Sequence, residues 1–196
     1  KKIELNSNHQ KIFDMYDNVG IYAGTIGKYY GIDNLINALS LCNNSLAIIL
    51  IGDGDFKNEA EKLKRKKNLN NLFIINSQEK SYLFSLFQKC SFGIVSFPEK
   101  KLYSYGIASL KMLDYLYAKL PILMVGPFDK YSILSNLKNK HSSKFGDINS
   151  IANQYKNLCE IDSENKVNIG LENHQLLEKN ASILILKNQL NRILNI

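Results

Sequence analysis

The sequence predicts an α/β fold, a Rossmann-like parallel sheet with helices on both faces. Three observations carry that reading. Short, almost unbroken apolar runs recur at 19–23, 46–51, 72–75, 92–95 and 122–125, the pattern of strands covered on both sides. Between them lie longer segments whose apolar residues return every three or four positions, as on one face of a helix. Strand and helix patterns alternate along the chain, and several of the runs end in glycine or small polar residues. Alternation of this kind is satisfied most economically by parallel strands with helical crossovers.

Taken in order, residues 1–18 are polar, with Ile3, Leu5, Ile12, Phe13 and Met15 to bury, and read as a lead-in or linker from an upstream domain. Residues 19–196 read as one domain. The first strand runs into a glycine-bearing loop from Gly24 to Gly31, and Ile32, Leu35, Ile36 and Leu39 mark the helix after it. The second strand stops at Gly52-Asp53-Gly54-Asp55. A helix over 56–67 follows, whose lysines read as a solvated face. After the third strand comes a helix over 81–89 with Leu83, Leu86 and Phe87 inward, then the fourth strand and a polar loop over 96–103. Residues 104–123 read as loop, helix and strand, with Ile107, Leu110, Leu113 and Tyr117 as the core stripe and Lys111 and Asp114 on a neighbouring face. The remainder predicts a helix near 130–137, a short strand at 143–145, a turn at Gly146-Asp147, a helix over 148–161 and one or two helices in 167–196. Leu176, Leu177, Ile183, Leu184, Leu186, Leu190 and Ile193 are the candidates for burial in that tail.

The chain has 196 residues, enough for one well-cored domain, and 25 Lys and Arg against 18 Asp and Glu give +7. That excess favours an anionic partner such as a nucleotide or an acidic membrane surface. The lysines are dispersed and not interleaved with aromatic residues, which speaks against nucleic acid. Cys42, Cys90 and Cys159 share no paired spacing and read as reduced, buried thiols of a cytoplasmic protein, and His9, His141 and His174 are equally scattered, so no metal site is expected. No apolar run is long enough to span a bilayer, although peripheral work at the inner face of a membrane stays open.

Three loops follow parallel strands and therefore share one edge of the sheet: 24–31, 52–55 and 96–107. Such an edge is where open α/β sheets bind ligands. Glycines in the first let backbone approach a ligand, and Lys28 joins them if its side chain turns inward. The helix start near Ile107 offers N–H groups, Lys111 a charge for a phosphate, and Asp114 two acceptors for vicinal hydroxyls. Each element also has a plain reading. Gly24, Gly27 and Gly31 do not form the dinucleotide pattern, Gly52-Asp53-Gly54 suits any tight turn, and Lys111 with Asp114 can be a surface ion pair. The residues alone reach a nucleotide- or phosphate-binding α/β domain.

In combination, Tyr22-Ala23-Gly24-Thr25-Ile26-Gly27, Gly31 to Ile36, Ile51-Gly52-Asp53-Gly54, Ser109-Leu110-Lys111-Met112-Leu113-Asp114-Tyr115 and Ala118 to Ile122 resemble the C-terminal, donor-binding domain of GT-B glycosyltransferases of family four. The likeness runs from Val19 to about Ile161 and is nearest the branch that builds bacterial surface polysaccharides. It implies one half of a GT-B enzyme that transfers a sugar from a nucleoside-diphosphate sugar, UDP-linked first, to a polysaccharide or lipid-linked acceptor, with no metal required. By that resemblance Gly24, Thr25, Gly27, Lys28, Ile107, Ala108 and Ser109 face the pyrophosphate. Lys111 neutralises it and stabilises the leaving group. Asp114 stands for a ribose-binding glutamate, and Ile75 and Asn76, with Ser77, hold the base. Many members carry Arg and Lys where this chain has Thr25 and Tyr30, and a further Glu where it has Gly106. The acceptor domain, with any catalytic base, is expected upstream or on another subunit. A non-catalytic interaction module that keeps the fold without the site is the alternative.

Overall fold

The computed structural model describes residues 3–105, 107, 109–128, 136–137 and 140–181. Among them the strands β1 (Asn18–Ala23), β2 (Leu46–Ile51), β3 (Leu72–Ile75), β4 (Phe92–Ser96), β5 (Ile122–Val125) and β6 (His141–Ser143) form one wholly parallel sheet in the order β3-β2-β1-β4-β5-β6. The helices are α1 (Ser7–Met15), α2 (Ile32–Leu39), α3 (Lys57–Lys66), α4 (Lys80–Phe87), α5 (Leu110–Tyr117), α6 (Ile148–Glu160) and α7 (Ser163–Ala181). This is the Rossmann-like architecture that the alternating pattern predicts, with the last short strand two residues earlier than expected. The helix expected near 130–137 lies largely outside the described residues, as does the tail beyond 181.

Side chains on each strand point alternately to the two faces, so every unbroken apolar run feeds two cores. Tyr22, Ile48, Leu50, Phe92, Ile94, Leu123 and Val125 meet α2, α3 and α6 on one side. Val19, Ile21, Ala23, Ala47, Ile49, Ile51, Val95, Ile122 and Met124 meet α1, α4, α5 and α7 on the other. Two expectations change here. Residues 7–15 are not an idle lead-in but a helix, with Ile12 buried in the second core and the His9 ring nitrogen Nδ1 2.7 Å from the Tyr82 hydroxyl. The three cysteines are free but half-buried rather than enclosed. No helix among the described residues is long and apolar enough to cross a membrane.

The chain builds outward from β1 to β3, then returns to the other side of β1 to lay down β4, so the sheet reverses direction between β1 and β4. Their pairing is confined to Gly20 with Phe92 and Ile21 with Gly93. Beyond that point β1 needs other partners for its backbone on this side, and Tyr115 of α5 supplies them. Its hydroxyl accepts from the Ala23 N–H at 2.8 Å and donates to the Ile21 carbonyl at 3.2 Å. Gly93 makes the space: a Cβ there would sit 2.6 Å from the Tyr115 ring. The ring is fully buried, and burial holds its hydroxyl well above the usual phenol range.

The same contact explains a corrected helix face. Leu110 is 75% exposed and Tyr117 60%, whereas Met112, Tyr115 and Leu116 are buried. Six of the eight residues of α5 are apolar, so two stripes satisfy helical spacing equally, and the bond from Tyr115 to β1 is satisfied by only one of them. The helix also begins at Leu110, with Ser109 as its extended N-terminal neighbour, and not near Ile107. Tyr115→Phe should lower the unfolding free energy by about 1–3 kcal/mol, because it strands a buried N–H without its acceptor. Urea denaturation checks this, with the midpoint falling and the slope unchanged.

Candidate functional site

The loops at the carboxyl ends of β1 and β2 are sewn together by backbone. Gly24 N–H donates to Ile51 C=O, Ile26 N–H to Asp53 C=O and Phe56 N–H to Ile26 C=O, at 2.9, 2.9 and 3.1 Å. Such closeness requires glycine at position 52, where φ is +148° and a Cβ would lie 2.0 Å from the Gly24 carbonyl oxygen. Gly52 is therefore structural first, as its turn chemistry suggests. The stitching also commits the N–H groups of Gly24 and Ile26 within the chain, and that of Gly27 bonds to Thr25 C=O. Backbone donors in this loop are thus scarcer than its glycines imply, and charge at the site must come from side chains.

Beside this seam, at the β1/β4 reversal, lies a cleft of about 590 Å³. Of the residues expected at a ligand, Gly24, Thr25, Ser77, Ser109, Lys111 and Asp114 line it together, joined by Tyr30, Asp53, Gln78 and Phe97. The others fall elsewhere. Gly27 is buried behind the loop and Lys28 stands exposed on a short 3₁₀ turn, neither on the cleft wall. Ile75 and Asn76 end β3 just short of it, and their successors Ser77 and Gln78 form the wall. Ile107 packs into the second core. Ala108 and Gly106 lie outside the described residues.

Lys111 is the chemical centre of the cleft. Its Nζ donates to the Tyr22 hydroxyl at 3.1 Å and lies 4.2, 5.2 and 5.7 Å from the ring centres of Tyr22, Tyr30 and Phe97. The cage is itself fixed: Tyr22 O–H donates to Thr25 C=O at 2.9 Å, and Ser96 O–H donates to Tyr30 C=O at 2.7 Å. Among the described residues no carboxylate pairs with this ammonium. Aromatic faces attract it but do not neutralise it, and burial pulls its pKa from 10.5 down to about 8.

The expected Lys111–Asp114 pair does not form. Asp114 instead takes Lys80, the first residue of α4, with Nζ to Oδ1 at 3.0 Å. On the opposite wall Lys57 Nζ donates to Asp53 Oδ1 at 2.7 Å and to Gly52 C=O at 3.1 Å, and also bonds Asn76 Oδ1. Ser77 O–H donates to the second Asp53 oxygen. These bonds hold the Asp53 carboxyl down at about 2 and tie the loop after β3 to the loop after β2. Lys57, Lys80, Gln78, Tyr22 and Phe97 escaped the sequence reading. The helical offset of Lys57 from Asp53 was legible there, whereas Lys80 and the aromatic cage are brought in by topology alone.

The family model for glycosyl transferases group 1 matches residues 6–168. The chain belongs to that family. Among solved structures, HepE of Anabaena in complex with UDP and glucose is similar with a TM-score of 0.78 and 15% identity, over 98% of this chain and 53% of that one. A TarM mutant of S. aureus, in complex with Fondaparinux, alpha-GlcNAc-glycerol and UDP, gives 0.73 and 18% over 89% of this chain and 35% of that one. The C-terminal domain of LpcC from Francisella tularensis, a glycosyl transferase group 1 protein, gives 0.70 and 16% over 93% and 96%. At these identities the likeness establishes the fold, that of one half of a GT-B glycosyltransferase. The chain spans about a third of the TarM chain and half of the HepE chain. Comparison with curated protein sequences gives no match.

For this family member the buried ammonium carries a stability consequence. Below about pH 8 the folded protein holds a charge that the unfolded chain would solvate freely, a cost of roughly 3 kcal/mol before the aromatic rings return part of it. Between about 8 and 10.5 the unfolded chain binds the Lys111 proton and the folded one does not, so this group raises stability as pH rises through that window. Lys111→Met should therefore stabilise the protein by about 1–3 kcal/mol at neutral pH and remove that rise. Chemical denaturation of both proteins across the window measures the difference.

Proposed function

We propose that this domain is the donor half of a glycosyltransferase and holds a nucleoside-diphosphate sugar, UDP-linked first, in the cleft at the β1/β4 reversal. One observation carries the reading: an ammonium in the cleft wall, without a carboxylate among the described residues, whose desolvation an entering phosphate would offset. The pyrophosphate then lies against Lys111, Gly24, Thr25 and the start of α5 at Ser109. Asp114, one helical turn further on, accepts from ribose hydroxyls, and Ser77 and Gln78 border the base. HepE and TarM, which share the fold, are described in complexes containing UDP, and that supports the choice of nucleotide.

In transfer, the sugar–phosphate bond breaks and negative charge collects on the departing diphosphate. Lys111 is already in place to meet it, so stabilisation costs no rearrangement at that moment. The reading uses no metal. The acceptor, a polysaccharide or a lipid-linked sugar, and any base that activates it belong to an N-terminal acceptor domain or acceptor subunit. The net charge of +7 suits work on the cytoplasmic face of an anionic membrane in a bacterial capsule or surface-polysaccharide system.

Calorimetric titration with UDP and UDP-sugars should show binding at or below millimolar concentration, weakened about tenfold or more by Lys111→Ala and by Asp114→Ala. No heat from UDP, or no effect of either substitution, overturns the reading. The affinity is also proton-linked. Phosphate prefers the charged lysine, the charged fraction falls through pH 8, and so UDP affinity should drop about tenfold from roughly pH 7 to 9. Uridine, which lacks the phosphates, should show no such drop. The groups facing Lys111 do not mimic this change, because Tyr22 is pushed up by burial and remains neutral, and Asp53 remains ionised throughout.

A further inference from the structure

The contact between α4 and α5 at the rim of the cleft does more than pair two charges. Lys80 reaches across from the first turn of α4, two residues after the wall residue Gln78, and its Nζ stands 3.0 Å from Asp114 Oδ1. The carboxylate side chain is 25% exposed and set into the cleft wall, while the lysine side chain is 65% exposed and leans over it from the rim. A lysine ammonium has three donors, and an ion pair with one carboxylate oxygen leaves at least two of them for other partners. Among the described residues, Asp114 Oδ2 has no partner. The cleft wall at Asp114 therefore has an acceptor with a charged donor beside it, the Lys80 ammonium, which also lies 5.9 Å from the Phe84 ring centre.

Resting on the nucleotide reading above, we propose that Lys80 is a specificity-determining residue, and that with Asp114 it clamps the vicinal diol of the ribose. One hydroxyl donates to Asp114 Oδ2 and the other accepts from Lys80 Nζ, while the ammonium–carboxylate bond stays intact. A single carboxylate has lone pairs enough for both hydroxyls, but the second would then be set against the ammonium–carboxylate ion pair already made at Oδ1. The divided arrangement keeps it and uses each hydroxyl in the role the wall offers. Lys111 takes no part here, since its ammonium is turned to Tyr22 and not to Asp114.

The test is titration of the 196-residue chain, as wild type, Lys80→Ala and Lys80→Arg, with UDP, 2′-deoxy-UDP and 3′-deoxy-UDP. For the wild type each deoxy analogue should bind about tenfold more weakly than UDP, the loss of one charge-assisted hydrogen bond. In Lys80→Ala, UDP affinity should fall by a similar factor and the penalty for at least one analogue should shrink to within about twofold. Lys80→Arg should restore both. Thermal melting should be unchanged in all three proteins, since the lysine is exposed. If Lys80→Ala changes all three affinities by one common factor, the residue acts through charge alone and the clamp is wrong. If UDP binds more tightly to Lys80→Ala, Lys80 competes with the diol, and the clamp is again wrong. Absence of UDP binding by the wild type overturns the nucleotide reading and the clamp together.

Discussion

The gap between β1 and β4 is the constraint on which the rest of the molecule depends. A parallel sheet that reverses its order must separate the two strands at the turning point, and separated strands leave backbone groups without partners in a dry interior. Here one phenol closes the account, with Gly93 giving its ring room and the hydroxyl serving Ile21 and Ala23 at once. The cleft is thus held open by a bond that would otherwise be missing from the sheet. Because Tyr115 also fixes the rotation of α5, it decides where Lys111 and Asp114 point.

That rotation explains an energetic imbalance at the site. Placing Lys111 among Tyr22, Tyr30 and Phe97 removes it from water, and the rings return only part of the solvation lost. A carboxylate beside it would stabilise the empty protein but would fill the position an anionic ligand needs. The carboxylates nearest in the cleft are both occupied elsewhere, Asp53 by Lys57 and Ser77, and Asp114 by Lys80. Each wall satisfies its own charges and, among the described residues, leaves the central ammonium without a carboxylate, which is the position the proposed nucleotide would take. On the proposed reading, stability given up at that point is returned when an anion binds.

Most of the fold was legible in the sequence, because strands buried on both faces and helices with one apolar stripe leave strong periodic traces. All six strands and most of the helices fall within a residue or two of expectation. The site was legible where it depends on chain order: Gly24, Thr25, Ser109, Lys111 and Asp114 follow strands that must end at one edge. It was illegible where the third dimension chooses between equivalent patterns. With six apolar residues in eight, α5 has two possible buried faces, and the sequence cannot rank them without knowing that Tyr115 meets β1. Gly27 reads as ligand-facing because a glycine loop suggests free donors, whereas its N–H bonds to Thr25 C=O and those of Gly24 and Ile26 go into the seam to β2. Lys28, whose side chain is expected to turn inward, stands exposed. Lys80 carries no local signal, since its partner is 34 positions away.

By the resemblance drawn from the sequence, Thr25 and Tyr30 stand where many members would carry basic residues, and Lys111 is the lysine that lines the cleft beside them. Tyr30 no longer supplies charge but forms one wall of the cage that holds Lys111. A phosphate arriving there meets a desolvated ammonium rather than several solvated ones, and an interaction of this kind is stronger per charge because water competes less. Lys80 and Lys57 then stand on the two flanks, each engaged with a carboxylate, where they contribute orientation more than neutralisation. One desolvated charge at the centre and two paired charges at the edges can discriminate among ligands by shape and hydroxyl position, which several mobile surface lysines would do poorly.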